Sequence, residues 1–458
     1  MTTTPIIRQS DHLAESPERP TMVRWTIMGM VTLANMLPAL GKVSLGVTAK
    51  LIQDEFHFSN TTMGWILGAF VAGFAVCQIP GGWAGDRYGP RKILMWAILW
   101  YSFFLAAMAA VPYVSVGGVI GLAVLFALVR FLVGAGESLT ASNSTKVVGS
   151  WMSSSKRGIG ISFYSLGVGA GGALTPLIIV WSMQRWGWRT SFVLCGIVGM
   201  IIALVWGLYV TDRPEDHPGV NAAELALLRS GPGERTTRET RGENSGPTPW
   251  RKILSSGSVR ILVLSFMCRA YAIYFFDTWF FIYLLKGRGI SISKGGFWGG
   301  APYLAILLLS PFGGWVSDFA VKSFGKRRGR QTSVWLGMAC SALLIWLGGN
   351  AANNTLAIIL VALGAGFNMF ASVTWWATCI DLAPRHAASL SALMNTCGAL
   401  GGWLAPVLTA YIAESLGWAA ALDFIALLSL LGGLLWLFVD AEASVEQELA
   451  DVRTSPAI

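Results

Sequence analysis

The sequence predicts an all-α membrane protein whose twelve transmembrane helices form two six-helix bundles. Three observations carry this prediction. Apolar windows of about 20 residues, the length that crosses a bilayer, recur twelve times along the 458 residues. A single polar stretch, about 212–258, divides them six and six. A Gly-Gly-Trp segment followed by an acid and a basic cluster recurs after the second and the eighth window.

Composition supports the same class. The chain is 54% hydrophobic and only 12% charged, where soluble domains carry roughly 25% charged residues. A net charge of +9 would point to nucleic acid in a soluble protein. Here the charges fall in loops on alternate sides of the spans, so topology accounts for them and no nucleic-acid partner is expected. All six cysteines lie within apolar runs, which implies free buried thiols rather than a disulfide framework. No metal-ligand spacing is present.

Residues 1–23 form a polar tail with Pro5, Pro17 and Pro20 and no short apolar core, so the first span is expected to direct insertion. The N-terminal half, 24–211, holds spans near 24–48, 61–84, 92–112, 114–140, 157–182 and 189–211. The central loop, 212–258, opens with Asp212, Arg213, Pro214, Glu215 and Asp216 and contains the segment AAELALL, readable as a short amphipathic helix. The C-terminal half, 259–439, holds spans near 259–285, 295–318, 331–349, 354–379, 388–413 and 417–439. Residues 440–458 form a second polar tail.

Lysine and arginine counts set the orientation. Arg87, Arg91, Lys92, Lys156, Arg157, the arginines of the central loop, and Lys322 to Arg330 all fall on one side of consecutive spans. The other side has few. Both termini and the central loop are therefore expected in the cytoplasm.

The halves repeat. GGWAGDRYGPRK, Gly81 to Lys92, supplies Gly85, Asp86, Arg87, Gly89 and Arg91. GGWVSDFAVKSFGKRRGR, Gly313 to Arg330, supplies Asp318 at the matching place. Internal repeats of this size mark secondary transporters. The carboxylate could sit at the N-terminus of a neighbouring helix and latch the halves in one state; the plainer reading is a tight turn.

Charges inside the spans are the strongest functional signal, because a charge at mid-bilayer costs about 2.5–3.5 kcal/mol on insertion scales. Arg130 and Glu137 are seven residues apart, two helical turns, and project from nearly one face. Lys42 lies in span 1, and Arg269 and Asp277 in span 7. A cavity between the halves would gather these residues. An ion pair between packed helices is the alternative for Arg130 and Glu137.

Twelve spans in two halves with GDRYGPRK after span 2 resemble the major facilitator superfamily over about 24–440. QIPGGWAGDRYG, RFLVGAGE, WMSSSKRG, GWRTSF and MNTCGALGG resemble its anion:cation symporter branch, which includes bacterial sugar-acid and carboxylate importers and vesicular glutamate and sialic acid carriers. The resemblance implies proton coupling at Glu137, with Arg130 connecting protonation to substrate. An Asp-Arg pair typical of span 1 in bacterial members aligns with Gly41 and Lys42, so the aspartate is missing. A tyrosine common in span 2 is Phe74. The CRAYAIY segment looks like the vesicular glutamate carriers and suggests that Arg269 binds a substrate carboxylate.

Arginine presents a planar fork that binds carboxylate through two hydrogen bonds. Lys42, Arg130, Arg269, Glu137 and Asp277 sum to about +1, and protonating Glu137 makes this about +2, so proton and anion would favour each other. Asp277 is expected either to replace the absent span 1 acid or to pair locally with Arg269 or Lys42. Tyr164, Ser165, Tyr274, Ser372 and Asn395 are further polar candidates, each also readable as a helix–helix hydrogen bond. Trp375 and Trp376 could wall the site or simply pack. His386 lies near the cytoplasmic end of span 11. GVGAGG, Gly167 to Gly172, sits inside a span with no strand before it, so it reads as helix packing rather than a nucleotide loop.

The resemblance thus implies a proton-coupled importer of a small organic anion in the bacterial inner membrane, acting as a monomer without cofactor and without enzymatic activity. Sodium coupling, exchange, an anion sensor and a drug exporter are the alternatives. The short central loop argues against a sensor and the three buried cations against a drug exporter.

Overall fold

A computed structural model of the protein describes residues 19–114, 117–153, 156–229, 250–383 and 386–442. The first half contains α1 (Val23–Phe56), α2 (Asn60–Tyr88), α3 (Pro90–Ala107) and α4 (Gly118–Trp151). A continuous helical run, Arg157–Tyr209, then holds α5 and α6, which meet at Gly187. The second half contains α7 (Gly257–Thr278), then a run, Ala301–Asn350, holding α8 and α9, which meet at Gly325. It closes with α10 (Asn354–Leu382), α11 (Ala387–Ser415) and α12 (Gly417–Leu435). Among the described residues nine helical runs are long and apolar enough to cross a membrane. Two of those runs are helix pairs, and the shorter α3 completes the twelve.

The turns repeat as the sequence motifs do. Gly89, Gly187, Gly325 and Gly417 have φ of +90°, +82°, +80° and +87°. They occupy the α2–α3, α5–α6, α8–α9 and α11–α12 turns. Side chains are disfavoured at such angles, so glycine is the residue that lets one helix reverse into the next without a loop. Other boundaries follow ordinary capping. The Ser59 hydroxyl accepts from the Thr62 amide at 3.0 Å to start α2, and the Asn353 side chain accepts from the Leu356 amide at 3.0 Å to start α10. Pro90 opens α3 in the position where its missing N–H costs nothing.

In the first half α1 packs on the α5–α6 run, α2 on α4, and α3 on α4 and α6. In the second, α7 packs on α11 and α12, and the α8–α9 run packs on α10 and α12. The halves meet along α2 and α11, along α1 and α7, and where α5 meets the α8 side. At the α1–α7 crossing the backbones nearly touch: a Cβ on Gly46 would lie 2.7 Å from the Thr278 carbonyl oxygen.

The two halves are fastened at the end that carries Phe56, Asn60, Lys286 and Ser415. Lys286 Nζ donates to Gln53 Oε1 at 2.9 Å and to Asn60 Oδ1 at 3.0 Å. The Glu414 carboxylate accepts from the Asn60 and Thr61 amides and from the Thr61 hydroxyl at 2.6 Å. An acid from the end of α11 thus sits on the positive N-terminus of α2. This is the kind of carboxylate-on-helix latch the repeated motif suggested, found at the other end of the bundle and made by another acid.

At the opposite end the central segment binds the first half. The predicted AAELALL helix is present as Ala222–Arg229. Its Glu224 is fully buried, accepts from the Arg24 amide at 3.2 Å and the Thr21 hydroxyl, and lies 3.5 Å from the Arg24 guanidinium. It therefore caps α1. Residues 230–249, most of both tails, and Ser154 and Ser155 of the WMSSSKRG stretch lie outside the described residues.

Candidate functional site

The interior cluster is built on α1, α2, α4, α5 and α7. Lys42 Nζ stands 3.7 Å from Glu137 Oε1. It also lies 5.8 Å from the rings of Phe74, on α2, and of Tyr274, on α7 of the other half. Tyr164 of α5 and Asp277 of α7 are close enough to act on its charge. Arg130 is fully buried, donates from Nη1 to the Gly41 carbonyl at 2.6 Å, and stacks 4.7 Å over the Phe70 ring. It is thus not locked into an ion pair with Glu137; lysine, not arginine, is the carboxylate's near partner.

Gly41 explains how Glu137 fits. A Cβ there would lie 3.2 Å from Glu137 Oε2. The missing side chain leaves room for the carboxylate to approach α1 where an aspartate would crowd it. Glu137 Oε2 is buried with no hydrogen-bond partner among the described residues.

Arg269 lies in the second half, between α7 and α10. Its Nη1 donates to Asn368 Oδ1 at 3.0 Å, and its guanidinium stacks 4.7 Å over Phe266. Tyr274 follows Arg269 on the same helix and brings the second half to the first, its ring 5.8 Å from Lys42 Nζ. Asp277 takes neither Lys42 nor Arg269 as its hydrogen-bond partner: the Tyr303 hydroxyl donates to Asp277 Oδ1 at 2.6 Å. The Tyr303 ring in turn rests on Gly172 of the first half, where a Cβ would overlap it. A void no larger than a water molecule lies beside Asp277, lined by Val43, Gly46, Pro176 and Gly299 among others.

Ser372 is buried on α10, one turn beyond Asn368 and on the same face. Asn395 is half-buried on α11, and Ser165 is exposed on α5. Trp375 packs between Phe266 and Trp436, behind Arg269. His386 sits at the start of α11. Gly167 and Gly171 meet the α1 backbone at Thr32 and Met36, so GVGAGG packs helices, as expected.

The repeated motif forms two polar groups near the chain termini. Gly85 lies against the Asn143 side chain, which leaves no room for a Cβ. Gly89 makes the turn. The Arg91 amide donates to Asp212 Oδ1 at 2.8 Å, and its side chain donates to the Gly207 carbonyl. Arg87 lies over the rings of Trp83 and Tyr88 at 5.5 and 5.7 Å. The side chain of Asp86 lies outside the described residues. In the second half Arg330 lies 3.6 Å from Asp318 and 3.2 Å from Asp381, and it donates to Ser317 Oγ at 2.8 Å.

Sequence reasoning missed Asn368, Tyr303, Glu414 and Lys286. An amide inside an apolar run was the available signal for Asn368. A tyrosine next to a proline in APYLAILL gave none.

The sequence model described as Major Facilitator Superfamily matches residues 31–406. A Bacillus subtilis (strain 168) protein named "Probable galactarate/D-glucarate transporter GudP" is 30% identical over 404 residues, 87% of this chain and 88% of that one. The "D-galactonate transporter" of Escherichia coli O6:H1 is 30% identical over 429 residues, 92% and 96% of the two chains. Among solved structures, a bacterial homologue of the human lysosomal transporter Spinster, inward-facing and occupied, aligns with a TM-score of 0.71 at 16% identity, covering 95% of this chain and 100% of that one. The xylose transporter XylE from E. coli, inward open, aligns with a TM-score of 0.70 at 15% identity, covering 93% and 99%. These structural likenesses establish the fold. With the family model covering most of the chain, the protein belongs to the Major Facilitator Superfamily and is a membrane transporter, not an enzyme.

Proposed function

We propose that the protein imports a small organic anion, a sugar acid or other carboxylate, together with protons, across the cytoplasmic membrane of a bacterial cell by alternating access. One observation carries this reading. Two buried guanidiniums, one in each half, have no carboxylate within ion-pair distance among the described residues. Unpaired buried charge is costly, and a carboxylate guest would relieve it. The names of the similar transporters, for galactarate, glucarate and galactonate, support the same class.

Glu137 carries the proton, with Asp277 as a second acid, and Lys42, Arg130 and Arg269 hold the anion. Tyr164, Tyr274, Ser372 and Asn395 supply polar contacts. Protonation of Glu137 releases Lys42 and raises the positive charge of the site, so proton and substrate promote each other's binding. Charge bias puts both tails and the central loop, 212–258, in the cytoplasm. The end fastened by Lys286 and Glu414 is then external, and this conformation is closed to the outside. The turn containing Gly85, Asp86, Arg87, Gly89 and Arg91, with Asp318 in the repeat, gates the cytoplasmic side. The protein works as a monomer in the bilayer.

Proteoliposomes carrying the purified protein test the reading. An inward proton gradient is expected to drive concentrative uptake of galactarate, glucarate or galactonate, and a sodium gradient is not. Uptake driven by sodium alone, or by none of these acids, overturns it.

A further inference from the structure

Where α5 faces the second half, the two surfaces are nearly bare. Gly296 and Gly299 meet Val180 and Pro176, and a Cβ on either glycine would fall 2.9 Å from its neighbour. Gly300 meets the Ala173 carbonyl, and Gly169 takes Leu307. Small residues thus let the short helix Ile292–Gly299 and the start of α8 lie against α5 in a close seam between the halves. Gly296, Gly299, Gly300 and Leu307 bring no polar side chain to this seam; Tyr303 does. Its ring occupies the space a side chain on Gly172 would need. Its hydroxyl turns back into its own half and donates to Asp277 Oδ1 at 2.6 Å, a length typical of a hydroxyl on a carboxylate. One residue therefore touches the other half with its ring and an acid of its own half with its tip.

We propose that Tyr303 is the positioning residue that ties the charge of Asp277 to closure at the outer end: the seam stays shut while the acid is ionised and is free to part once the acid holds a proton. The inference rests on the reading above of Asp277 as a second acid and of the Lys286 and Glu414 end as external. A hydrogen bond to an ionised carboxylate is roughly twice as strong as one between neutral groups. Protonation thus loosens the hydroxyl, and the ring can leave Gly172. The other titratable groups that act on Asp277 are Lys42 on α1, Glu137 on α4 and Tyr274 on its own helix. The α5 residues of the seam, Gly169, Gly172, Ala173, Pro176 and Val180, add none. Only Tyr303 among these groups stands in the seam, so it is the route by which the acid's charge reaches it. The void beside Asp277 lies where Pro176 and Gly299 of the seam meet Gly46 of the α1–α7 crossing. Brief partings of the seam expose that void to outside water, and a proton captured there by Asp277 holds the open form. An empty carrier then turns outward only as outside protons are supplied.

Nitroxide labels on Gln184→Cys and Ser293→Cys, exposed sites at the outer ends of the two sides of the seam, report its opening by pulsed electron resonance in the purified full-length protein with its native cysteines replaced by alanine. Without substrate, the longer, open distance is expected to gain severalfold in population between alkaline and acid buffer. Tyr303→Phe keeps the ring and loses the hydroxyl; Asp277→Asn keeps the size and loses the charge. Each is expected to show the same population in both buffers. Glu137→Gln, which removes the other exchangeable carboxyl, is expected to keep the response. A distance that ignores pH when Tyr303, Asp277 and Glu137 are all native overturns the proposal. So does a full pH response in Tyr303→Phe, or its loss in Glu137→Gln. No guest enters these measurements, so the role of Tyr303 stands or falls on them, while the organic-anion reading stands or falls on uptake.

Discussion

The Lys42 ammonium lies 3.7 Å from the Glu137 carboxylate, across a stretch of α1 where Gly41 offers only backbone. Lysine and glutamate from α1 and α4 thus form a separable pair beside Arg130, which is held by the main chain instead. Glu137→Gln keeps the shape and removes the exchangeable proton. It is expected to abolish accumulation under a pH gradient while counterflow exchange continues. Continued accumulation against a gradient by the variant removes Glu137 from the coupling step.

Asn368 holds the Arg269 guanidinium at 3.0 Å, and in the proposed function it acts on substrate through that arginine. Losing a hydrogen bond to a charged group costs about 1.5–3 kcal/mol, roughly a 10–150-fold change. Asn368→Leu is expected to raise KM by about that factor with a smaller effect on kcat. Asn368→Asp, which hands Arg269 a permanent carboxylate, is expected to abolish anion uptake. Transport kinetics in proteoliposomes distinguish these from a folding defect, which would lower the amount of active protein without changing KM.

Asp277 takes its hydrogen bond from Tyr303, not from a cation. If the acid also carries a proton through the cycle, Asp277→Asn flattens the dependence of uptake on external pH. We expect this flattening, measured as initial rates across several pH values. A variant whose rates fall in proportion at every pH assigns Asp277 to holding Tyr303 against Gly172 alone.

The closure at the end carrying Lys286 and Glu414 depends on a backbone crossing and on a clasp. Gly46→Leu drives a side chain into the Thr278 carbonyl and is expected to prevent closure on that side. A reporter cysteine placed by Phe276→Cys then reacts with an impermeant reagent from outside, while translocation stops. Lys286→Met and Glu414→Gln remove the cross-half contacts to Gln53, Asn60 and Thr61. Because those contacts are at least partly exposed, each is worth about 1 kcal/mol or less. These variants are expected to raise reporter labelling severalfold without stopping transport.

Most of the architecture is legible in the sequence because hydropathy and the internal repeat report directly on spans. The Gly81–Lys92 and Gly313–Arg330 segments mark corresponding turns, and Gly89 and Gly325 take the same positive φ. Ends are less legible. Span 1 reads as 24–48, yet α1 continues to Phe56, where His57 takes the left-handed conformation that ends it. Its last turns carry Lys50, Asp54 and Glu55, which lower hydropathy but favour no break. The span 7 window, 259–285, likewise hides the end of α7 at Thr278 and the short turns that follow. The buried charges were legible because each is anomalous in an apolar run. Their partners were not: Asn368 is 99 residues from Arg269 and Tyr303 is 26 from Asp277, and only the packing of α10 and α8 against α7 brings them together. Glu224 reads as the polar face of an amphipathic helix, but folding turns it inward to cap α1.

The bare backbone at Gly41 has an electrical consequence. With no acid at that position, a cycle that protonates Glu137 alone would bring one hydrogen ion with each guest, and a cycle that protonates Asp277 as well would bring two. With one, a singly charged acid crosses silently and a doubly charged one carries a net negative charge inward, opposed by an interior-negative membrane voltage at about 2.3 kcal/mol per 100 mV; with two, the doubly charged acid is the silent one. Valinomycin clamps set at different potassium ratios would register that difference as current for one class of guest and none for the other.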